Sequence, residues 1–321
     1  PSVSHGHDHG PRATGTSPEE RRERQRALAI VLAMLVVFAV VEVVGGIVSG
    51  SLALIADAGH MLSDALAVGL ALGAGWLAGR PAGRRTSYGM GRAEILAALI
   101  NGATLIGISA WVLIEGIGRL VEPTEVEGGT VLVVGAIGAL VNVVAAVVLA
   151  RAGTESLNMR AAFLHVVGDL AGSMAVLVSA AIVLTTGFER ADAIVAIVIS
   201  ILIAASAVPT LRAAASVLLE SAPPDLDVDR VGGAICAVPG VREVHDVHVW
   251  TITSGFPALT AHVLVAPEVD CHDARRRVEA VLHEDFALEH TTLQVDHGAG
   301  ARAFVPIAEV TRRDADDVPR S

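Results

Sequence analysis

Six apolar runs, each long enough to cross a bilayer, constrain this chain more than any other feature. At ~20 residues per crossing, they fall at residues 27–48, 51–78, 93–121, 129–150, 161–186 and 191–219. In hydrocarbon every backbone polar group must be satisfied within the segment, so runs of this length predict α-helices. Hydrophobic residues make up 53% of the 321, too many for a soluble domain of ordinary composition. The flanks at 1–26 and from 220 onward are polar and charged. The expected class is therefore an α-helical membrane protein with six transmembrane helices and a small soluble α+β domain behind them.

Charge in the connections sets the orientation. The segment before the first run carries Arg21, Arg22, Arg24 and Arg26, the second connection Arg80, Arg84, Arg85 and Arg92, and the fourth Arg151 and Arg160. The alternate connections are acidic or nearly free of arginine, so both termini are expected on the cytoplasmic side. The N-terminus is hydrophilic and no cleavable signal peptide is expected. The net charge of −11 comes largely from the C-terminal part and argues against nucleic acid as a partner. Two cysteines far apart, Cys236 and Cys271, form no disulfide framework and suit a reducing compartment.

Two of the apolar runs carry groups that are costly in a membrane. Asp57, His60 and Asp64 share one face of the second helix at 3.6 residues per turn. A histidine held by a nearby carboxylate could simply tie two helices together. The fifth helix, however, repeats the His-x-x-x-Asp spacing at His165 and Asp169. If the second and fifth helices lie side by side, two imidazoles and two carboxylates converge, which is the count and ligand type of a tetrahedral zinc site. Two neutral His and two ionised Asp carry a charge of −2, which a divalent cation cancels. Without the cation the carboxylates should take up protons, so metal and protons should compete. Imidazole disfavours calcium and magnesium, leaving zinc first, with cobalt, cadmium and nickel allowed by the same ligands.

Other membrane polar groups rank lower. Asp57 is expected at the mouth of the site or bonded to a neighbouring helix, Asn142 in interhelical hydrogen bonding, and Glu42, Glu94, Asn101 and Glu115 near helix ends or in packing pairs. Gly69 with Gly73 and Gly168 with Gly172 have the spacing that lets helices approach closely. Counting from the helix ends puts His60 and Asp64 nearer the outer side and His165 and Asp169 nearer the cytoplasmic side. Either the helices are offset and tilted, or a water-filled vestibule reaches inward past Arg160.

From Pro223 the pattern changes to short alternating units: a helix at 227–238, strands at 243–252 and 258–265, a helix at 272–286 and a strand at 291–296, an αββαβ order. Cys236 is expected in its core. His262 points away from Leu259, Ala261 and Val263, to the solvent side of its strand. His245 with Asp246, His262, His272 and Asp296 are possible metal ligands there, with Cys271 beside them. At the N-terminus His5, His7 and His9 with Asp8 either capture metal or form an inert tail. Residues 311–321 read as a disordered tail. The domain division is 1–26, 27–219, 220–298 and 299–321.

With these residues in hand, the sequence resembles the cation diffusion facilitator family of metal exporters, in particular its zinc-transporting branch. The resemblance is carried by Ala-Asp-Ala-Gly-His-Met-Leu-Ser-Asp at 56–64, Arg-Ala-Glu-Ile-Leu-Ala-Ala-Leu-Ile-Asn-Gly at 92–102 and Phe-Leu-His-Val-Val-Gly-Asp at 163–169. In the soluble part Val-His-Asp-Val-His-Val-Trp at 244–250 and His-Thr-Thr-Leu-Gln-Val at 290–295 carry it. It implies a homodimer of six-helix protomers with metallochaperone-like cytoplasmic domains and a transport site of His60, Asp64, His165 and Asp169. It further implies metal binding by His245, His262 and Asp296, with His272, while Gln294 stands where some relatives carry a histidine ligand.

The expected function is efflux of zinc from the cytoplasm in exchange for protons, across the plasma or inner membrane. Zinc is both the transported and a regulatory ion, and no organic cofactor is called for. The rival readings are a membrane-bound metal sensor without transport and an intramembrane metalloenzyme. A catalytic zinc keeps an open position for water, whereas two His and two Asp fill the shell, so no enzyme is expected.

Overall fold

The computed structural model describes residues 18–153, 157–253 and 255–297. The N-terminal histidine tract and the C-terminal tail lie outside them. Six long helices come first: α1 (Pro18–Ser49), α2 (Leu52–Ala78), α3 (Arg92–Val121), α4 (Gly128–Arg151), α5 (Leu157–Thr186) and α6 (Arg190–Leu218). Among the described residues all six are long and apolar enough to span a membrane. Their ends match the apolar runs closely. The exceptions are α1 and α5, which begin nine and four residues earlier than hydropathy alone predicts, because a helix continues into polar sequence at no cost to its hydrogen bonding.

Among those residues the chain forms two compact units, one within Pro1–Gly69 and Ile100–Pro209, the other within Leu70–Leu99 and Thr210–Ser321. In the first, α4 packs against both α1 and α5. Phe38, Leu52, Leu54, Met61, Val112, Val131, Val176 and Ile199, drawn from all six helices, form its buried centre. Large apolar side chains such as Val37, Leu72, Ile114 and Leu202 point outward and stay exposed, as a bundle facing lipid tails requires. Gly50, at φ +71°, makes the tight turn from α1 into α2. The backbone N–H groups that open α2 are satisfied from a distance: Asp192 accepts from Ser51 Oγ (2.5 Å), Leu52 N (2.6 Å) and Ala53 N (3.3 Å). A carboxylate at a helix N-terminus also meets the positive end of the helix dipole.

Not every small residue is where helices touch. At Gly69, Gly73 and Gly168 an added Cβ would meet nothing within 4 Å. Close approaches include Gly46, where a Cβ would lie 2.7 Å from Ile55, Gly116 against Ile197 (2.7 Å), Gly138 against Phe38 (2.7 Å) and Gly172, 3.0 Å from Asp57 Oδ1.

The second unit holds α7 (Val228–Cys236), β1 (Val241–Thr253), β2 (Phe256–Val265), α8 (Cys271–Phe286) and β3 (His290–His297). The αββαβ order is as expected. The sheet order is β1-β2-β3, with β1 antiparallel and β3 parallel to β2. The parallel pair follows from the crossover through α8. Leu259, Ala261, Val263 and Val265 face the core with Val231, Ile235, Val278 and Leu282. Cys236 departs from expectation: it is exposed, because Val231 and Ile235 occupy the buried face of a helix only nine residues long. In the same unit Arg92 Nη2 pairs with Glu220 Oε1 at 3.2 Å while its Nε donates to Ile252 O at 3.2 Å.

Both short helices begin on an aspartate. Asp227 accepts from Asp229 N and Arg230 N, and Asp270 accepts from His272 N and Asp273 N at 2.8 and 3.0 Å. Those donations, Asp273 first, hold the Asp270 carboxyl below its ordinary value. A lowered folded value means the cap stabilises α8 fully above the unfolded aspartate value of ~3.9 and loses that contribution as pH falls through the lower folded value. Hydrogen-exchange mass spectrometry of the 271–286 segment should therefore show Asp270→Ala less protected than wild type at neutral pH. The difference should close on acidification. An equal difference at every pH would leave the carboxylate no part in it.

Candidate metal centre

The His-x-x-x-Asp pair of α2 and that of α5 meet inside the first unit. His60 and Asp64 are one helical turn apart, as are His165 and Asp169, so each helix turns its imidazole and carboxylate to the same side. His165 Nε2 lies 3.1 Å from Asp64 Oδ2 and 3.8 Å from Asp169 Oδ2. His60 Nδ1 lies 3.5 Å from Asp64 Oδ2, and His60 Nε2 lies 3.7 Å from Asp169 Oδ1. The two rings stand edge to face, 5.8 Å between centroids. Among the described residues His60, His165 and Asp169 are the one group of three or more metal-ligating side chains whose ligand atoms all fall within 4.8 Å of one another.

These separations can be set against the size of an ion. Zinc takes nitrogen and oxygen ligands at ~2.0–2.1 Å, which in a tetrahedron puts ligand atoms about 3.3 Å apart. Pair by pair, the contacts of 3.1 to 3.8 Å are of that order. With one ligand atom taken from each residue, His60, His165 and Asp169 converge within 4.8 Å, and Asp64 does not join them. Asp64 Oδ2 and His60 Nδ1 are buried with no hydrogen-bond partner of acceptable geometry. Polar atoms in that state are rare in folded proteins, and a cation between the two helices would supply what they lack.

The offset counted from the helix ends does not keep the two pairs apart. α5 starts at Leu157, so His165 lies two turns inside it. A cavity of about 360 Å³, lined by Leu28, Val31, Leu149, Ala162, His165 and Asp169 among others, opens beside the pair. Leu28, Leu149 and Ala162 sit next to Arg26, Arg151 and Arg160 in sequence, so the cavity extends from the ligands toward the arginine-bearing ends of α1, α4 and α5. His165 is exposed, His60 half-buried and Asp169 buried.

Of the two expectations for Asp57, the bond to a neighbouring helix holds, since it meets Glu42 of α1 and Ser173 of α5, and the place at a mouth does not. Asp57 is 3% exposed, and on α1 Glu42 is fully buried rather than close to a helix end. Asn142 donates to Ser173 Oγ at 3.1 Å, an interhelical bond as expected. Asn101 accepts from Ser63 Oγ at 3.1 Å, and Glu115 pairs with Arg119 at 2.9 Å. Sequence reasoning passed over Asp192, whose signal was its place at the start of α6, and Ser173, whose signal was its position one turn after Asp169.

In the soluble unit the antiparallel register sets His245 opposite His262. Their rings stack at 5.4 Å. The ladder breaks between His245 and His248, where Asp246 takes a positive φ of 54°. That bulge turns the Asp246 carboxylate to both neighbours, 2.8 Å from His248 Nε2 and 3.7 Å from His262 Nε2. Asp296 accepts from Gln294 Nε2 at 2.8 Å. His272 lies in the first turn of α8, at the Asp270 cap. The structure thus brings His245, Asp246 and His262 together, with Gln294 beside His262 in the sheet. These side chains do not converge as closely as the group between α2 and α5.

Comparison with known proteins adds the following. Residues 28–219 match the cation efflux transmembrane domain, and residues 223–298 match the cation efflux protein cytoplasmic domain. The zinc transporter ZitB of Escherichia coli is 38% identical over 298 residues, covering 92% of this chain and 93% of that protein. The metal cation efflux system protein CzcD of Cupriavidus metallidurans is 36% identical over 286 residues, covering 88% and 90%. A cadmium, cobalt and zinc/H(+)-K(+) antiporter of Bacillus subtilis is 34% identical over 276 residues, covering 85% and 89%.

The geometry yields a prediction about binding alone. Asp64→Asn and Asp169→Asn keep the side-chain shape but remove an anionic ligand, so each should weaken zinc binding by purified protein at least about tenfold, or ~1.4 kcal/mol. Isothermal titration calorimetry reads this directly. Wild-type affinity should also fall on acidification, since protons compete for imidazole and carboxylate. Affinity unchanged in both variants would remove these carboxylates from the site.

Proposed function

This chain belongs to the cation efflux family, and we propose that it carries zinc out of the cytoplasm in exchange for protons, by alternating access around His60, Asp64, His165 and Asp169. It is an integral, multi-pass membrane protein of a family that effluxes metal cations, not an enzyme. What supports the finer reading is the convergence of His60, His165 and Asp169 from two helices, with Asp64 Oδ2 3.1 Å from His165 Nε2 at its edge. A mixed imidazole and carboxylate set favours zinc over hard cations. Cobalt, cadmium and nickel share that chemistry, and the Bacillus relative is named for cadmium, cobalt and zinc.

Each ligand pair belongs to one helix, so tilting α2 against α5 changes both the ligand geometry and the side from which the site is reached. Carriers with sites near the bilayer midplane work in this way. A channel fits poorly, because a four-ligand shell holds its ion too firmly for fast conduction. The cavity beside Asp64 and Asp169, drawn toward the arginine-bearing helix ends, supports loading from the cytoplasm with both termini on that side.

The same proposal covers the remaining organisation. A tail at 1–26, a transmembrane domain at 27–219, a cytoplasmic domain at 220–298 and a tail at 299–321 form each protomer of a homodimer in the inner or plasma membrane. His245, His262, His272 and Asp296 are assigned to a regulatory zinc site of the cytoplasmic domain. The bulge that seats Asp246 between His248 and His262 makes Asp246 a further ligand there.

Zinc flux into proteoliposomes tests the transport reading. Wild-type flux should rise when the pH gradient is imposed in the direction that drives protons against zinc. Asp64→Ala and Asp169→Ala should transport at or near the rate of empty liposomes. Equal flux in all three proteins would sink the site, and wild-type flux with no proton counter-movement would sink the exchange.

A further inference from the structure

One ionisable cluster of the membrane unit is used by nothing above. Glu42 of α1 is fully buried and Asp57 of α2 is 3% exposed, and their carboxyl groups face each other. The helices packed around them are cut back to fit. On α4, a Cβ at Gly138 would lie 3.3 Å from Glu42 Oε1, and on α5 a Cβ at Gly172 would lie 3.0 Å from Asp57 Oδ1. Asn142, also fully buried, reaches in from α4 and is anchored by its bond to Ser173 Oγ.

The hydrogen-bond inventory of this pocket does not balance. Glu42 Oε1 and Oε2, Asp57 Oδ2 and Asn142 Oδ1 are all buried acceptors with no donor of acceptable geometry. Among the described residues the titratable groups facing Glu42 are Asp57 and, through its field, Asp169 of α5. Among the described residues no arginine or histidine acts on Glu42. The donors at hand are already engaged, Asn142 Nδ2 with Ser173 Oγ and Ser173 with Asp57. Four acceptors left over in a dry place call for a cation, and two facing carboxyl groups are met most simply by a proton. A protonated carboxyl is itself a donor, and like charges this close cannot both ionise.

We propose that the Glu42–Asp57 pair is a proton site separate from the metal ligands, and that it carries a counter-proton of the exchange. This rests on the antiport reading above. When zinc enters between α2 and α5, its positive charge acts on the pair through Asp169. The carboxyl O–H bond breaks, the proton leaves to water, and the electron pair stays on the carboxylate. When zinc departs, the pair takes up one proton and regains its donor. Neither residue touches zinc, so the proton count and the metal affinity are separable.

That separability is the test. Purified full-length wild type and Glu42→Gln are compared for zinc affinity by calorimetry, for protons released per zinc with a pH dye, and for flux in proteoliposomes with and without a pH gradient. Glu42→Gln should bind zinc within about twofold of wild type, release about one proton fewer per zinc, and show flux that no longer follows the gradient. The same proton count and the same gradient response in both proteins would overturn the proposal. So would a proton count that is unchanged while external potassium becomes the ion the exchange requires. Should Glu42→Gln lose zinc binding, Asp57→Asn is read by the same criteria, and loss in both makes the pair structural. Failure of the antiport reading looks different, since wild type itself would then move zinc without protons.

Discussion

The cost of holding charge in an apolar bundle governs the arrangement of this membrane unit. Asp57, Asp64, Asp169, Asp192 and Glu42 all lie on helices whose outer faces are built for lipid, and a carboxylate there is tolerated only with partners. Asp192 finds three donors within the protein, one hydroxyl and two backbone N–H groups. It is a tie between α6 and the start of α2, complete without any ion. Asp57 and Glu42 keep oxygens without a hydrogen bond of good geometry, and Asp64 Oδ2 has only the two imidazoles beside it. The division is physical: a carboxylate satisfied from within holds the fold, and one left short has room for the cation proposed above.

Much of this was legible in the sequence because it depends on local periodicity. Hydropathy marked six helices, since apolar length is what a bilayer selects. The αββαβ order followed from the alternation in β2 and the apolar period of α8. The spacing of His60 with Asp64 and of His165 with Asp169 singled out the side chains that meet between α2 and α5, because a one-turn interval fixes a shared helix face in any fold. Asp192 and Glu42 were not legible in the same way. Their roles depend on which helix stands opposite, and that is decided by Gly138, Gly172 and the turn at Gly50 acting across long sequence separations. Cys236 failed for a related reason: on a helix of nine residues, one position decides between core and solvent.

The soluble unit meets its own version of the constraint with strands. A regular antiparallel ladder would set His245 and His262 opposite each other and turn Asp246 to the other face. The bulge at Asp246 breaks that alternation and brings the carboxylate round beside His248 and His262. A positive φ at an aspartate is less costly than at most residues, which is why this position can bear it. The motif Val-His-Asp-Val-His-Val-Trp therefore encodes an irregularity as well as a strand.

The two units also differ in how a ligand set can respond to motion. Between α2 and α5 each ligand pair is rigid along its own helix, so a tilt moves two ligands together and changes access and affinity in one step. In the sheet, hydrogen bonding between β1 and β2 fixes His245 against His262, and no small motion separates them. A site meant to release its ion on every cycle belongs between helices that can rock. A site meant to stay filled belongs on paired strands. On the function proposed above, the imidazoles and carboxylates of this chain are divided along that line.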